Sequence, residues 1–303
     1  VGTAGPAPTK VSAPQLELAP ELRLDGDGER ALAEPKGVKV DAEGRVYVLD
    51  HRNERVLIFD AEGKATGSLA DGLLKYDPDG KPETADLQPS AWGLGVGPDG
   101  SVYIADTWNH RVLKFKDGAE VARVGTFGSP PSIGEALDLL YGPRDIAVDA
   151  AGQVYVTDTG NKRVVILDAD LKPLRAFGGT GNDAGELNEP TGIAIDPASG
   201  NIVVADLWNN RVQTFDKDLR PLRQFDVEAW TSTDANHKAY IAVGPEGVIA
   251  FTDPEKARVW FYSPEGQPLG RMGLPQDELG LKLPIGIAFD PQGRLYVASS
   301  EGN

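Results

Sequence analysis

The chain has 303 residues, 40% of them hydrophobic and 25% charged, which is the composition of a globular protein with a core. Lys and Arg number 30 against 46 Asp and Glu, and the formal charge of −16 opposes general binding to nucleic acid or to an anionic membrane surface. Because the chain has no cysteine, disulfides, thiolate metal sites and cysteine nucleophiles are excluded. No run of about 18 apolar residues is present, so the sequence predicts no transmembrane helix.

The chain begins with a segment rich in Pro and Ala, VGTAGPAPTKVSAP, which is typical of a semi-stiff linker. We therefore expect residues 1–14 to be a linker and residues 15–303 to form one domain. The linker also leads us to expect attachment to a larger protein.

The domain is built from an internal repeat. PKGVKVDAEGRVYVLD from Pro35 returns as PRDIAVDAAGQVYVTD from Pro143, and related copies begin at Trp92, Pro190, Tyr240 and Pro284. The period suits a blade of four antiparallel strands, because short β-rich runs alternate with Gly-containing turns. The aspartates that close the second predicted strand of the first five copies recur 47 to 56 residues apart, by subtraction: Asp50, Asp106, Asp158, Asp206 and Asp253.

The sixth copy, PIGIAFDPQGRLYVAS, contains only two predicted strands. An open ring would expose the edge of that last sheet. The segment ELRL at residues 21–24 is similar to LRAF and LRQF, the fourth strands of other copies. We therefore predict an all-β, six-bladed β-propeller of four-stranded antiparallel blades, with the ring closed by an N-terminal strand, residues 15–26, in the last blade.

These motifs resemble the NHL-repeat family over nearly the whole chain after about residue 30. The resemblance rests on the Pro-x-Gly-Ile-Ala-Val-Asp opening, the Val-Tyr-Val-x-Asp second strand and the Asn-x-Arg-Val start of the third. It implies a six-bladed propeller that acts as a non-catalytic binding module of a larger secreted or membrane-tethered protein. It also implies an extracytoplasmic location and a glycan, peptide or protein ligand.

An Asp-x-x-Asn-x-Arg pattern recurs in four copies, and repetition argues against catalysis, since a catalytic group is needed only once. Asp and Asn cap tight turns, and Arg pairs with carboxylates. We expect these residues to be structural: Asp50, Asn53, Arg55, Asp106, Asn109, Arg111, Asp158, Asn161, Arg163, Asp206, Asn209 and Arg211.

Histidines and acidic residues give no complete metal site. The three histidines, His51, His110 and His237, occupy non-equivalent positions, whereas zinc ligands must converge. We therefore expect surface histidines. Amidating lyases of similar architecture hold zinc with histidines near the starts of inner strands. This chain has no histidine at those positions, which are occupied by Lys36, Trp92, Arg144, Thr191, Ala239 and Ile285. A metal-dependent lyase or lactonase acting at the central channel is the alternative function.

The longest connection, residues 73–88, contains four acidic side chains but matches no EF-hand spacing. A solvated acidic loop is favoured over a calcium site, so no cofactor is expected, and calcium is the alternative. The four side chains are Asp77, Asp79, Glu83 and Asp86.

In an NHL arrangement, the loops between strands two and three share a face with the starts of the inner strands. Large aromatic side chains in loops often mark recognition surfaces, and Lys36 with Arg144 would favour an acidic group. The alternative for Trp108 and Trp208 is burial against neighbouring blades. RNA binding is a third function, which the acidic composition disfavours. The predicted ligand-binding residues are Lys36, His51, Arg52, Trp92, Trp108, Arg144, Trp208 and Tyr240.

Overall fold

The computed structural model describes residues 21–77, 86–227, 230, 237–273 and 281–301. The predicted linker, residues 1–14, and residues 15–20 of the predicted closing strand lie outside these ranges. Within them the chain forms β-sheets, all antiparallel except the parallel pair of strands at Thr126–Phe127 and Leu139–Leu140, and no α-helix. No helix there is long and apolar enough to cross a membrane.

Most of the strands form four-stranded blades in sequence order, and a short two-stranded ribbon follows each of the first two blades. Blade 1 contains β1 (Pro35–Val40), β2 (Val46–Asp50), β3 (Arg55–Phe59) and β4 (Ala65–Leu69), and β5 (Lys75–Tyr76) pairs with β6 (Asp86–Pro89). Blade 2 contains β7 (Gly93–Val96), β8 (Val102–Asp106), β9 (Arg111–Lys116) and β10 (Ala119–Val124), and β11 (Thr126–Phe127) pairs with β12 (Leu139–Leu140).

Three further sheets follow blade 2. Blade 3 contains β13 (Pro143–Val148), β14 (Val154–Asp158), β15 (Arg163–Leu167) and β16 (Pro173–Gly178). Blade 4 contains β17 (Pro190–Ile195), β18 (Ile202–Asp206), β19 (Arg211–Phe215) and β20 (Pro221–Asp226). Blade 5 contains β21 (Ile241–Val243), β22 (Ile249–Asp253), β23 (Arg258–Tyr262) and β24 (Pro268–Met272).

The last copy of the repeat forms a two-stranded sheet of β25 (Pro284–Phe289) and β26 (Leu295–Ser299). This sheet lies between blade 5 and blade 1 and closes the ring, because β25 contacts both β21 and β1. The Ser300 hydroxyl donates to the Pro35 carbonyl oxygen at 2.7 Å, which ties the end of the last sheet to the start of the first.

The prediction of four-stranded antiparallel blades is confirmed, but the prediction of six such blades is wrong. The described residues form five complete blades and one two-stranded sheet. Residues 21–25 of the predicted closing strand have no strand pairing, and Gly26 forms only an isolated bridge with Ala31. The physical reason is that this segment contacts the ring through side chains instead of ladder hydrogen bonds: Leu24 packs on the cluster that contains Ala288 and Ala298.

Local sequence explains the repeated hairpins. In the turn between β1 and β2, Asp41 Oδ1 accepts from the backbone N–H groups of Glu43 and Arg45 at 3.0 and 2.9 Å. Gly44 follows at φ 81°, a left-handed conformation that glycine adopts without steric cost.

The core lies between the faces of adjacent blades. Leu49 and Val56 of blade 1 pack with Leu94 and Ile104 of blade 2, and equivalent apolar clusters fill the other interfaces between neighbouring sheets. Close packing also fixes the inner strands, since a Cβ at Gly93 would lie 2.2 Å from the Arg144 carbonyl oxygen. Each blade therefore buries its apolar faces only with the help of its neighbours.

Candidate functional site

The strand register brings two sets of segments to one end of the molecule. Pro35 pairs with Asp50, and Pro143 pairs with Asp158, so the starts of the inner strands lie beside the ends of the second strands. We call this end the loop face. It also holds four 3₁₀ turns that join strands two and three: His51–Asn53, Thr107–Asn109, Thr159–Asn161 and Leu207–Asn209.

The repeated Asp, Asn and Arg side chains form a bracket beneath each of these turns. In blade 3, Asp158 Oδ2 accepts from Asn161 Nδ2 at 2.8 Å and from Arg163 Nε at 2.9 Å. Asp158 Oδ1 accepts from the Tyr141 backbone N–H at 2.7 Å, and the Arg163 guanidinium also donates to four carbonyl oxygens of the preceding connection. The carboxylate therefore holds the turn to the segment that leads into its own blade.

The other three copies repeat this contact with small variations. The Arg Nε donates to the Asp carboxylate at 2.6 to 2.8 Å in blades 1, 2 and 4. Because the same Asp–Arg contact stabilises the turn in four blades, it does not indicate a catalytic site.

Four of the predicted residues converge at the axis, and we call them the axial cluster: Lys36, Trp92, Arg144 and Tyr240. Trp92 is only 2% exposed, and the Lys36 ammonium and Arg144 guanidinium each lie 4.7 Å from the centre of its indole ring. Lys36 is 4% and Arg144 5% exposed, so two cations are buried against one aromatic ring.

Tyr240 contacts the backbone of Trp92 and Arg144. Its hydroxyl group donates to the carbonyl oxygens of Trp92 and Arg144, at 3.3 Å each, from the opposite side of the ring. Burial raises the pKa of Tyr240, so the phenol stays a neutral donor. Deeper in the channel, the Lys39 ammonium lies 3.2 Å from the buried Asp145 carboxylate.

His51 adjoins the axial cluster and is buried, which contradicts the expectation of surface histidines. Its Nδ1 donates to the Ala91 carbonyl oxygen at 2.8 Å, and its ring centre lies 5.2 Å from that of Trp92. Burial lowers the pKa of His51 to about 4, with the nearby Lys36 charge adding to the effect. The imidazole is therefore neutral at pH 7.

The carboxylates nearest the two axial cations are engaged elsewhere. Glu34 forms an ion pair with the exposed Arg52, and Glu189 lies 3.0 Å from the Lys238 ammonium. Burial lowers the pKa of both Lys36 and Arg144, which is the response of cations held away from water. The axial part of the loop face is thus electropositive within an acidic chain.

The two loop tryptophans lie outside the axial cluster. Trp208 is 53% exposed, with the Lys238 ammonium 5.8 Å from its ring centre, and Trp108 is half-buried. Trp208 is therefore not buried against a neighbouring blade, and Trp108 is buried only in part. The structure brings Lys36, His51, Trp92, Arg144 and Tyr240 together, and it places Arg52, Trp108 and Trp208 around them; the ligand-binding role of all eight stays a prediction.

Sequence reasoning missed an exposed aromatic cluster on the same face. Phe127 is 64% exposed. The centre of its ring lies 4.7 Å from that of the His110 ring and 5.2 Å from that of the Tyr141 ring. Phe127 and Tyr141 belong to the connection between blades 2 and 3, outside the repeated motif, so a search by repeat position passes over them. The sequence signal that could have indicated this cluster is Phe127 itself, an aromatic residue between Gly125 and Gly128.

Metal ligands do not converge in the part of the chain that the structure describes. No group of three or more His, Asp or Glu side chains that could hold a metal ion occurs there. The residues Asp79 and Glu83 of the acidic connection lie outside the described residues, so the calcium alternative stays a prediction.

The NHL-repeat family model matches residues 32–59, 89–115, 140–167 and 187–215, which contain the first three strands of blades 1 to 4, except for the last residue of β9. The chain is 26% identical to the protein brain tumor of Drosophila melanogaster over 151 residues. That alignment covers 50% of this chain and 13% of the relative, so the chain matches only a small part of that protein's length.

Solved propellers share the fold at low identity. Virginiamycin B lyase from Staphylococcus aureus is similar with a TM-score of 0.57 and 16% identity, covering 88% of this chain and 78% of that one. A chain of a nidogen/laminin complex is similar with a TM-score of 0.62 and 16% identity, covering 89% and 86%. An enzyme and a protein complex thus share this fold, so the fold does not decide the function. The four matched repeats, together with the propeller blades that they form, show that the chain belongs to the NHL-repeat family.

Proposed function

We propose that the protein is a non-catalytic binding module that holds a protein or peptide partner on its loop face. The observation that carries the proposal is Trp208, a large aromatic side chain that is half exposed on a loop at that face. Aromatic side chains of this kind are enriched at the energetic centres of protein interfaces.

The surroundings of Trp208 support the same function. The Lys238 ammonium lies above the indole and is held by Glu189, so the ring is kept in place by charged neighbours in the folded state. A rigid aromatic group loses little conformational entropy when a partner binds, which makes it an efficient anchor. The exposed rings of Phe127 and Tyr141 extend the apolar area of the face toward blade 3.

The geometry of the axis favours binding over catalysis at the central channel. Tyr240 crosses the axis to bond Trp92, and four inner strands carry Lys36, Arg144, Thr191 and Ile285 at their second positions. Trp92 and Tyr240 directly precede the other two inner strands, β7 and β21. A lyase or lactonase mechanism would need a converging set of acids, bases or metal ligands at this place. The extracytoplasmic location and the attachment to a larger protein remain part of the proposal. The location rests on the resemblance alone, and the attachment rests on the resemblance and on the linker-like composition of residues 1–14.

A peptide-display selection tests the proposal. A library of random peptides is selected on the immobilised wild type, and bound peptides are then measured against Trp208→Ala. We expect selected peptides to lose at least about tenfold in affinity with Trp208→Ala, the size of effect that marks an interface anchor. The matched control is Leu222→Ala, which removes a similarly exposed apolar side chain from the outer strand of the same blade.

Peptides that bind both variants as well as the wild type would contradict the proposed face. If the protein selects no peptide but binds glycans on an array, and Trp208→Ala abolishes that binding, the ligand is a sugar and the proposed peptide ligand is wrong. Turnover of a lactone that is lost on chelation would support the enzymatic alternative and overturn the proposal.

A further inference from the structure

The Lys36 ammonium is a buried charge without a charged partner at bonding distance. Lys36 is 4% exposed, and across the described ranges it makes no hydrogen bond and no ion pair, only its contact with the Trp92 ring. An ionised group removed from water is costly unless another charge or hydrogen bond compensates it.

A second unsatisfied polar group lies in the same cluster. The indole Nε1–H of Trp92 is buried and has no hydrogen-bond acceptor among the residues that the structure describes. Buried N–H groups in native proteins are nearly always satisfied, and an exception calls for an explanation. One anionic oxygen acceptor that reaches both groups would compensate the Lys36 charge and accept from the Trp92 N–H.

Nearby carboxylates do not meet this requirement. Glu34 and Glu301 act on Lys36 only at longer range, and Glu34 is bonded to Arg52. The Arg144 guanidinium on the same indole adds a second positive charge to the cluster and interacts with the Tyr240 hydroxyl. The cluster therefore attracts an anion, although the chain as a whole carries a formal charge of −16.

A cavity lies beside the start of β1, the strand that carries Lys36. It has a volume of about 600 Å³, lies between the sixth sheet and blade 1 on the loop face, and is lined in part by Glu34, Arg52, Ser300 and Glu301. The Lys36 side chain does not line this cavity, but Glu34, two residues before Lys36 in the chain, does. Arg52 and Glu34 form an exposed pair at its rim, which is free to rotate away at little cost.

We propose that the axial cluster is an anion site that binds a single carboxylate, supplied by a glutamate or aspartate side chain of a protein partner. Lys36 and Trp92 Nε1 donate to the carboxylate, and Arg144 stabilises its charge. The net negative charge of the chain favours one isolated carboxylate over a polyanion such as RNA, which the rest of the surface repels. The inference deepens the proposed function and rests on it only for the source of the carboxylate.

The Trp92 indole proton reports on this site directly. The chain has five tryptophans, so a ¹⁵N-labelled sample gives five indole signals, and the Trp92 signal is the one that Trp92→Phe removes. The probe is the blocked peptide acetyl-Gly-Glu-Gly-amide, and its control is the same peptide with Gln. We expect the Glu peptide to shift the Trp92 signal in a saturable manner and the Gln peptide to leave it in place.

Variants separate the roles of the residues. Lys36→Met should weaken Glu-peptide binding about tenfold, the effect of losing one charge-assisted hydrogen bond, while Lys36→Arg should retain it. Lys64→Met, which removes an exposed lysine from the turn between β3 and β4, should leave binding unchanged. Trp208→Ala should also leave it unchanged, which distinguishes this site from the anchor of the proposed function.

Three results would overturn the proposal. The Trp92 signal fails to move with the Glu peptide, or it moves equally with the Gln peptide, or it moves with inorganic phosphate and not with the Glu peptide. These comparisons use the wild-type protein, so they decide the question even if Lys36→Met does not fold.

Discussion

The Tyr240 hydroxyl of blade 5 donates to the Trp92 carbonyl oxygen of blade 2, 3.3 Å away, although the two residues are 148 positions apart in the chain. Blades 2 and 5 are opposite one another among the six positions of the ring. One side chain therefore joins the two halves of the propeller through its centre.

Removal of this hydroxyl should loosen the centre of the ring. We expect Tyr240→Phe to fold and to lose about 1 to 2 kcal/mol of unfolding free energy, because the carbonyl oxygens of Trp92 and Arg144 lose a buried donor. Urea denaturation followed by fluorescence measures the loss. Tyr141→Phe is the control, since its ring is partly exposed, and it should match the wild type. Equal stability of both variants would argue against a structural role for the axial hydrogen bonds.

The Asp, Asn and Arg bracket predicts a large effect from a single substitution. Arg163→Met should destabilise the protein by about 3 kcal/mol, because the buried Asp158 carboxylate would lose its charged partner and keep only the neutral donors of Asn161 and Tyr141. The exposed Arg220→Met should cost less than about 1 kcal/mol. Thermal unfolding of the two variants makes the comparison. A loss for Arg163→Met no larger than that of Arg220→Met would show that the bracket contributes little to stability.

The lowered pKa of His51 predicts that the free energy of unfolding depends on pH. Its folded pKa of about 4 lies below the ordinary value of 6.5, so the unfolded chain binds more protons between those pH values. Stability from this residue is therefore complete above pH 6.5 and is lost as the pH falls toward 4. Gln at position 51 keeps a donor but does not titrate, so His51→Gln should lose less stability than the wild type between pH 7 and pH 5. Parallel urea titrations at the two pH values give the difference, and identical losses would contradict the assignment.

The packing of the N-terminal segment on the ring predicts that two truncated proteins differ in melting temperature. Deletion of residues 1–26 should lower the melting temperature sharply, because Leu24 packs on the cluster that joins β26 and blade 1. Deletion of residues 1–14 should leave it unchanged if that segment is a linker. Calorimetry of both truncations makes the test, and an unchanged melting curve after the longer deletion would show that the packing of Leu24 contributes little to stability.

The exposed tryptophan should be dispensable for folding. We expect Trp208→Ala to change the unfolding free energy by less than about 1 kcal/mol, since half of its surface already faces water. In contrast, Trp92→Ala should destabilise the protein by about 3 kcal/mol or more, because its side chain is buried against Lys36 and Arg144. Denaturant midpoints of the two variants show whether the two tryptophans differ as their burial predicts.

Repeat spacing was enough to predict the strands within each blade. The period-two patterns and Asp-Gly turns of copies such as residues 143–158 depend on neighbouring residues alone, and the structure forms those hairpins. The number of complete blades was predicted wrongly because ladder pairing depends on distant segments. Residues 21–24 have the pattern of a fourth strand, yet they lie against the ring without pairing in it.

The sequence by itself determined the repeat, the antiparallel blades and the loop face, because each depends on hydrophobic periodicity and turn chemistry within about 20 residues. Only the tertiary structure decided which candidate residues are accessible. Trp92 and Trp208 are the same residue type at the same end of the molecule, but one is 2% and the other 53% exposed. The reason is physical: the burial of Trp92 comes from Lys36, Arg144 and Tyr240, which reach it from three other blades, and no local pattern records that convergence.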